Sequence, residues 1–184
     1  MTKPYKAAIF GTGSFLPEKR LTNSDLEHIV ETTDEWIIKR TGIRERRILD
    51  DTVPLSKIAS EASIQAINDA KISPDQIELF IAATLSPDYL TPSLSCSVQA
   101  EIGAKNAAAF DLNAACSGFV YALQVAESFI KSGIYKHILI VAAEALSRAT
   151  DYTDRNTCVL FGDGAGAVVI GRSDDETGIE CIVT

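Results

Sequence analysis

The sequence predicts an α/β protein whose largely parallel sheet is covered by helices on both faces. Segments with strand character alternate along the chain with segments of helical periodicity. The strand segments, such as residues 79–83 and 137–143, are continuous apolar runs. Such runs are typical of strands that are buried on both faces of a parallel sheet. With 184 residues, of which 46% are hydrophobic, the chain is long enough for one domain with a sizeable core.

The N-terminal part of the chain predicts one strand and two short helices. Residues 5–13 have the composition of a first strand and end in a glycine turn. Ser24 and Glu27, and then Thr32 and Glu35, are spaced as the capping boxes with which helices begin.

The middle of the chain predicts two further helices around a buried strand. Residues 56–71 place apolar side chains on one face at the spacing of an amphipathic helix. The run 79–83 follows a Ser-Pro-Asp turn and is expected to be a buried strand. Thr91-Pro92 is typical of a helix start, and Gly103 is typical of a helix end.

The last part of the chain predicts three strands and one helix. Residues 107–112 are expected to form a buried strand, and the helix that follows is expected to end at Gly133. Residues 137–143 are predicted as another buried strand. The small residues of 161–166 predict a loop that packs closely against other backbone before a final strand.

Composition and charge exclude several classes of function. The net charge of −8 disfavours binding to nucleic acid and to anionic membranes. The sequence shows no run of membrane-spanning length and no secretory signal, so we expect a soluble cytoplasmic protein. The four cysteines form no Cys-x-x-Cys pair and are accompanied by two histidines, which argues against a metal site and against disulfides.

One cysteine occupies a position at which a thiolate forms readily. Cys116 lies in residues 113–118, between the predicted strand 107–112 and a segment of helical periodicity. The partial positive charge at a helix N-terminus stabilises an anion, and a thiolate held there is nucleophilic. On this motif alone, the alternative of a small buried core cysteine stays open.

A thiolate nucleophile usually works with a histidine base, and neither histidine of this chain fits that role. His28 lies on the predicted helix near Ser24, and His137 opens a buried strand. A structural role is favoured for both. Chemistry at Cys116 therefore either needs no base at that step or takes one from outside these residues.

This acidic chain gathers five basic residues into residues 39–47. The segment is either a solvated helix end and turn or a grip on phosphate groups, for which arginine geometry is suited. Trp36, the sole tryptophan, stands one helical turn before Arg40. Its ring either belongs to the core or stacks on a nucleobase beside the arginines.

The glycine-rich segment 162–166 invites comparison with a dinucleotide-binding loop. Such a loop follows the first strand and opens a helix, and this segment does neither. We therefore expect tight packing here, with Asp163 bonding to the turn and not acting as a general acid or base.

Six motifs occur in one order along the chain, at residues 11–17, 34–37, 40–46, 114–118, 154–155 and 161–166. Taken together, these motifs resemble β-ketoacyl-acyl-carrier-protein synthase III, the initiating condensing enzyme of bacterial type II fatty acid synthesis. The resemblance runs along essentially the whole chain and covers the first half of that protein, which has the thiolase fold of two similar α/β halves. It implies a thiolase-like half over residues 1–172, followed over 173–184 by a polar turn and the start of a strand, cut before the second half.

The resemblance implies that Cys116 takes the acyl group of a short acyl-CoA, acetyl-CoA foremost, with its own backbone N–H in the oxyanion hole. Malonyl-acyl-carrier-protein would then lose CO2, and its carbanion would take the acyl group to give a 3-oxoacyl product. No cofactor and no metal are implied, since acyl-CoA is a substrate. By the same resemblance, the CoA contacts are Trp36, Arg40, Thr41 and Arg155, and the acyl pocket is lined by Leu146, Phe161 and Thr91.

The implied partners are acyl-CoA, malonyl-acyl-carrier-protein and a second copy of the chain in a homodimer, with no nucleic acid and no membrane. The acidic net charge does not exclude a carrier protein, which is itself recognised through local charge. We expect a local basic patch that includes Arg40, Arg44 and Arg46 to suffice for docking.

Two departures from the family pattern bear on activity. The family's catalytic His and Asn lie in its second half and have no counterpart in this chain, so the chain alone is expected to be acylated at most. Many members also carry Phe-Pro where this chain has Thr91-Pro92. Because that position reaches into the neighbouring subunit's pocket, the smaller Thr91 is expected to admit a longer or branched primer.

Two alternatives stay open at this point. One is another thiolase-fold acyltransferase, such as a degradative thiolase, a 3-hydroxy-3-methylglutaryl-CoA synthase or a polyketide-type relative. The set of Trp36, Arg40 and Arg155 favours the initiating synthase over these. The other alternative is a non-catalytic, truncated fragment that needs a separate partner polypeptide.

Overall fold

The computed structural model describes residues 5–174 and 177–183. Strands and helices alternate over most of this length, as the apolar patterns predict. The strands are β1 (Lys6–Phe15), β2 (Arg20–Thr22), β3 (Glu45–Arg47), β4 (Leu79–Ala83), β5 (Ala108–Leu112), β6 (His137–Ala145) and β7 (Asp163–Ser173). The helices are α1 (Asn23–Glu27), α2 (Asp34–Thr41), α3 (Leu55–Asp69), α4 (Leu94–Ile102), α5 (Gly118–Lys131) and α6 (Arg155–Cys158).

Five strands form one mixed, mostly parallel sheet in the order β1-β7-β6-β4-β5. Strand β4 pairs in parallel with both β5 and β6. Strand β7 pairs antiparallel with β6 and with β1, so it alone runs against the other four. Strands β2 and β3 form a separate two-stranded ribbon. The predicted α/β architecture is confirmed.

Helices cover both faces of the sheet, and this explains why its central strands are apolar throughout. In β4, Phe80 and Ala82 face the core shared with α3 and α4. The alternate residues Leu79, Ile81 and Ala83 face the core shared with α5. Burying one such Leu, Ile or Phe side chain contributes about 1.5–3 kcal/mol to folding.

A third, smaller core holds α1, α2 and α6 together at one side of the sheet. Leu26, Ile37, Cys158 and Val159 form its buried centre, and Trp36 packs partly against it. This satellite core carries the helices on which the predicted CoA contacts lie, so its packing determines their relative positions.

Helix α3 packs directly on the backbone of β1. A Cβ atom placed on Gly11 would lie 2.3 Å from the carbonyl oxygen of Ala66, and one on Gly13 would lie 2.2 Å from that of Ala62. The prediction of a glycine turn at this point is wrong, because β1 continues to Phe15 and both glycines lie inside the strand. They are there because no side chain fits between the strand and the helix.

The predicted helices are present, but three of them have an N-cap one or two residues away from the predicted one. An N-cap has extended backbone and lies just before the first helical residue, where its side chain accepts a backbone N–H. Ser24, for example, lies inside α1. The observed caps are Thr22 for α1, Thr33 for α2 and Ser93 for α4, in place of Ser24, Thr32 and Thr91. At the other end of α4, Gly103 is the left-handed C-cap, as predicted.

Three strand predictions differ from the observed structure. Strand β5 is an edge strand in which Ala108 and Phe110 are exposed, so its predicted full burial is wrong. Strand β7 already begins at Asp163, so most of the predicted glycine loop is strand. Residues 177–183 are irregular and form no strand, although the Ile179 N–H donates to the Ala7 carbonyl at 2.7 Å. Residues 175, 176 and 184 lie outside the described residues.

None of the helices in the described residues has the length and apolar character needed to cross a membrane.

The contact between α3 and β1 predicts a strong difference between two glycine substitutions. We expect Gly13→Ala to lower the free energy of unfolding by about 3 kcal/mol, since its methyl group would overlap the α3 backbone. Gly166→Ala is the matched control, because a Cβ on Gly166 has no atom within 4 Å and its φ is not left-handed. Urea denaturation of both variants measures the difference. Equal stability of the two variants would contradict the packing described.

Candidate active site

Cys116 lies on a sharp turn between a strand and a helix. Strand β5 ends at Leu112, a single 3-10 turn spans Ala115–Ser117, and α5 begins at Gly118. The Cys116 side chain is exposed. Ala115 immediately before it has a φ of 46°, in the left-handed region that residues other than glycine seldom adopt. The strand-to-helix turn predicted around Cys116 is confirmed.

Close packing places this turn at the carboxyl end of the central strands. A Cβ on Gly118 would lie 3.3 Å from the Cβ of Ala83, so the first turn of α5 nearly touches the end of β4. Ala83 also pairs with Leu112 in the sheet. Ligand sites of open parallel sheets form outside the carboxyl ends of the strands, and Cys116 is at such an end.

The starts of two helices differ in charge, and each has a cysteine nearby. At α4 the Asp111 carboxylate accepts the N–H groups of Leu94 and Ser95, both at 2.8 Å, so a negative charge already occupies the helix start near Cys96. The start of α5 has no side-chain cap. The positive end of the α5 dipole is therefore available to an anion formed at Cys116.

The four cysteines lie in different environments. Cys158 is fully buried in the satellite core, where burial raises the pKa of its thiol and the Asp154 carboxylate raises that pKa further. Cys96, Cys116 and Cys181 are exposed. The alternative of a buried core cysteine therefore describes Cys158 and not Cys116.

Neither histidine lies in the strand-to-helix turn of residues 113–118, which we call the elbow. His137 begins β6, whereas Leu112 at the end of β5 is level with Ala142, five residues further along the sheet. At about 3.3 Å per residue, the two positions are about 17 Å apart along the strands. Burial lowers the pKa of His137, and its Nδ1 lies 3.3 Å from the Gln76 carbonyl oxygen. His28 is exposed at the end of α1.

Three acidic residues that sequence reasoning missed accept backbone N–H groups of the segments at the carboxyl ends of the parallel strands. Besides Asp111, the Asp88 carboxylate accepts the N–H groups of Leu55 and Ser56, at 2.6 and 2.8 Å, and so caps α3 from the loop after β4. Glu144 on β6 accepts the Leu85 N–H at 2.9 Å in that same loop. These partners lie 16–59 residues apart in sequence, so no local spacing signals them.

The residues implied for the acyl pocket are distributed around the same edge. Ala145 at the end of β6 pairs with Asp163 at the start of β7. Leu146 and Phe161 flank this pair, the first half-buried and the second partly exposed. Thr91 is exposed in the segment before α4, next to a cis Thr91-Pro92 peptide bond.

Asp163 has the structural role that its position in a glycine-rich segment predicts. It is 6% exposed and accepts three hydrogen bonds. The Leu49 N–H donates to it at 2.6 Å, and the N–H and hydroxyl of Ser147 donate at 2.9 and 2.6 Å. These bonds hold the loop after β3 and the turn after β6 to the start of β7.

Trp36 on α2 stacks directly against arginine side chains. The guanidinium carbon of Arg155 lies 4.1 Å from the ring centroid, and that of Arg40 lies 4.6 Å from it. A planar base between Trp36 and Arg155 needs two contacts of about 3.5 Å. Arg155 must therefore move outward by about 3 Å before a base fits between them. A cavity of about 250 Å³ borders the pair, lined also by Glu31 and Thr33.

The basic segment divides into exposed and buried members. Arg40 and Arg44 are exposed, but Arg46 is 4% exposed and burial lowers the pKa of its guanidinium. The expectation that Arg46 belongs to a surface patch is therefore wrong. The Thr41 hydroxyl donates to the Ile37 carbonyl at 2.8 Å and accepts the Ile43 N–H at 3.0 Å, so it closes the end of α2.

Across the described part of the chain, no three His, Cys, Asp or Glu side chains converge as metal ligands would.

Comparisons with known proteins place this elbow in a family. The family described as 3-oxoacyl-[acyl-carrier-protein (ACP)] synthase III matches residues 110–183, which include the elbow. A curated β-ketoacyl-[acyl-carrier-protein] synthase III from Caldanaerobacter subterraneus subsp. tengcongensis is 52% identical over 97% of the chain and 54% of its own length. Over nearly its whole length, the chain is similar to about half of a β-ketoacyl-[acyl-carrier-protein] synthase III. It spans about half the length of the curated synthase III relatives it matches.

Solved structures agree with the family and with the thiolase-like fold. The 3-oxoacyl-[acyl-carrier-protein] synthase III from Aquifex aeolicus has a TM-score of 0.90 and 54% identity, covering 92% of this chain and 55% of that one. The priming β-ketosynthase of the R1128 polyketide biosynthetic pathway has a TM-score of 0.91 and 38% identity, covering 95% and 52%. The synthase III fold is therefore shared by a protein named for a different pathway.

The left-handed backbone at Ala115 predicts that glycine is tolerated better there than alanine. We expect Ala115→Gly to raise the free energy of unfolding by about 0.5–1 kcal/mol, since it removes the Cβ clash of that conformation. Ala114→Gly is the control, because Ala114 has a φ of −144° and glycine adds unfolded-state entropy without relief. Chemical denaturation compares the two, and a destabilised Ala115→Gly would contradict the strained elbow.

Proposed function

We propose that this chain carries the nucleophile of an initiating condensing enzyme of type II fatty acid synthesis. The reaction joins a short acyl-CoA, acetyl-CoA foremost, to malonyl-acyl-carrier-protein and releases CO2 and CoA, giving a 3-oxoacyl-acyl-carrier-protein. The observation that carries the proposal is the exposed Cys116 at the uncapped start of α5. The names of the relatives support the substrates.

In the first step the Cys116 thiolate attacks the thioester carbonyl carbon of acyl-CoA. The carbonyl electron pair moves to oxygen, and the backbone N–H of Cys116 is suited to donate to this oxyanion. When the carbonyl re-forms, the C–S bond to CoA breaks and the CoA thiolate leaves with its electron pair. The product is an acyl thioester on Cys116, and no electrons are gained or lost overall.

In the second step malonyl-acyl-carrier-protein loses CO2, and the electron pair of the broken C–C bond remains on the α-carbon. This carbanion attacks the acyl thioester and expels the Cys116 thiolate. A hydrogen-bond donor to the thioester oxygen of the malonyl group would stabilise the developing enolate. His137 begins β6, five residues along the sheet from the level of Leu112, and His28 is exposed at the end of α1, so we assign this role to neither. What these residues support best is therefore the acyl transfer to Cys116.

For CoA, the stacked pair of Trp36 and Arg155 is the proposed adenine site, with Arg40 beside it. A guanidinium and an indole ring both stack well on a purine. Arg40 is exposed and carries a charge suited to CoA phosphates. Thr41 supports this site through the end of α2, because its hydroxyl is already committed to backbone groups.

A second candidate function is acylation without condensation, as in a chain that accepts an acyl group and needs another polypeptide for the second step. The distance between the elbow and His137 favours it for this chain taken alone. The likeness to a priming polyketide β-ketosynthase adds a related thiolase-fold acyltransferase to the candidates.

A homodimer and a permissive primer pocket are further parts of the proposal. The exposed edge strand β5, with Phe110 on its surface, offers backbone groups and apolar area for pairing with a second copy. Thr91 is exposed beyond the end of β4, as a residue that enters a neighbouring pocket must be. Its small side chain favours primers longer than acetyl or branched primers.

Incubation with acetyl-CoA tests the proposed acyl transfer. We expect a mass increase of one acetyl group on the peptide that contains Cys116, and no label on Cys96 or Cys181, which are exposed internal controls. Cys116→Ala is expected to abolish the label. A folded wild-type protein that stays unlabelled, or one labelled equally at all exposed cysteines, would contradict the proposal.

The same assay with acyl-CoA primers of increasing length and branching tests the role of Thr91. We expect Cys116 to accept primers longer than acetyl, and Thr91→Phe to restrict it to the shortest ones in the dimer. Strict preference of the wild type for acetyl-CoA would contradict this part.

A further inference from the structure

We infer that Arg46 and Asn23 are the positioning residues of the Trp36–Arg155 pair, which they hold together through a buried polar network. This inference rests on the proposed function only in so far as the pair binds the adenine of CoA. The network itself is a property of the satellite core.

One end of the network holds α6. The Arg46 side chain donates from Nε and Nη2 to the Val159 carbonyl oxygen at 3.0 and 2.5 Å. Val159 is the C-cap of α6, and Arg155 is the first residue of this one-turn helix. The Nε atom of Arg155 is buried with no hydrogen-bond partner among the described residues. The position of its guanidinium therefore depends on where α6 lies.

The other end of the network holds both ends of α2. Arg46 donates from Nη1 to the Asn23 Oδ1 at 2.5 Å. The Nδ2 of Asn23 donates to the Asp34 side chain and to the Ile43 carbonyl oxygen, each at 2.8 Å. Asp34 is the first residue of α2, and Ile43 follows its C-cap, so Asn23 fixes the helix that carries Trp36.

Because the network is buried, the loss of any one of its side chains leaves a buried polar group without one of its hydrogen-bond partners. Arg46 is 4% exposed and Asn23 is 1% exposed, and the partners of the guanidinium in the network are neutral oxygens. A buried polar group that loses its partner keeps its desolvation cost. Removing the Arg46 guanidinium therefore removes the hydrogen bonds that join α6 to α1, and leaves α6 held only by the apolar contacts of the satellite core. The sheet and the α5 elbow have cores of their own.

The sole tryptophan makes the pair directly observable, because Trp36 fluorescence reports this site alone. We expect Arg46→Gln to increase quenching of Trp36 by acrylamide, since Arg155 leaves the face of the ring. CoA binding, followed by the same fluorescence, is expected to weaken about tenfold, the worth of one well-placed cation–π contact. Asn23→Ala is expected to shift both readouts in the same direction. Arg46→Lys replaces the planar guanidinium with an ammonium group, and both its acrylamide quenching and its CoA affinity are expected to be intermediate.

Two controls separate the positioning of the Trp36–Arg155 pair from a change of surface charge and from a change elsewhere in the fold. Arg44→Gln removes an exposed positive charge from the same segment and is expected to leave acrylamide quenching unchanged. The rate at which iodoacetamide alkylates Cys116 is expected to stay the same in all variants, because the elbow lies outside the satellite core.

The outcomes distinguish this inference from the proposed function. If the wild type binds no CoA, the proposed adenine site fails, and acrylamide quenching still decides the inference. If Arg46→Gln and Asn23→Ala match the wild type in quenching and in CoA affinity, the inference is overturned. A variant that loses its far-UV circular dichroism also overturns it, because the network would then serve the whole fold and not the stacked pair.

Discussion

The close contact between the backbone of β1 and helix α3 determines how one face of the sheet is packed. At Gly11 and Gly13 the helix lies so close to the strand that any side chain would overlap its backbone. This contact fixes α3 against the sheet, where it also packs on β6, β7 and α4. The start of α3 is bonded in turn by Asp88 from the loop after β4. The packing of one face of the sheet thereby determines the position of the loop after β4, at the edge where the elbow lies.

At that edge, the ends of neighbouring strands bring the candidate nucleophile and the residues implied for the acyl pocket close together. Strand β5 leads into the Cys116 turn, β6 leads to Leu146, and β7 starts after Phe161. The starts of α4 and α5 differ in charge, although each has a cysteine nearby. A carboxylate occupies the start of α4, whereas the start of α5 has no side-chain cap. An exposed thiol is thus held where negative charge is stabilised, beside side chains that can surround a short acyl group. The satellite core adds a stacking site built on different elements.

Local patterns predicted what depends on neighbours in sequence, and missed what depends on distant contacts. The bounds of β4 and the turn around Cys116 follow from apolar periodicity and from small residues, and both are confirmed. The sequence predicts a surface position for Arg46, because nothing near it in sequence indicates that its partner is Val159, 113 residues away. The partial exposure of β5 follows from the strand order, which periodicity does not contain. For the same reason the sequence predicts a turn at the glycines of β1, because their role depends on the position of α3.

The claim that the fold prepares Cys116 as the nucleophile is tested by the rates at which the cysteines of the folded protein react with iodoacetamide at neutral pH. Peptide mass spectrometry resolves the rate at each cysteine. We expect Cys116 to react first and by a clear margin over Cys96, which is also exposed but lies at the carboxylate-capped start of α4. Cys158 is predicted to react last because it is buried and its thiol pKa is raised. Equal rates at Cys116 and Cys96 would show that exposure alone governs reactivity, and would contradict the claim.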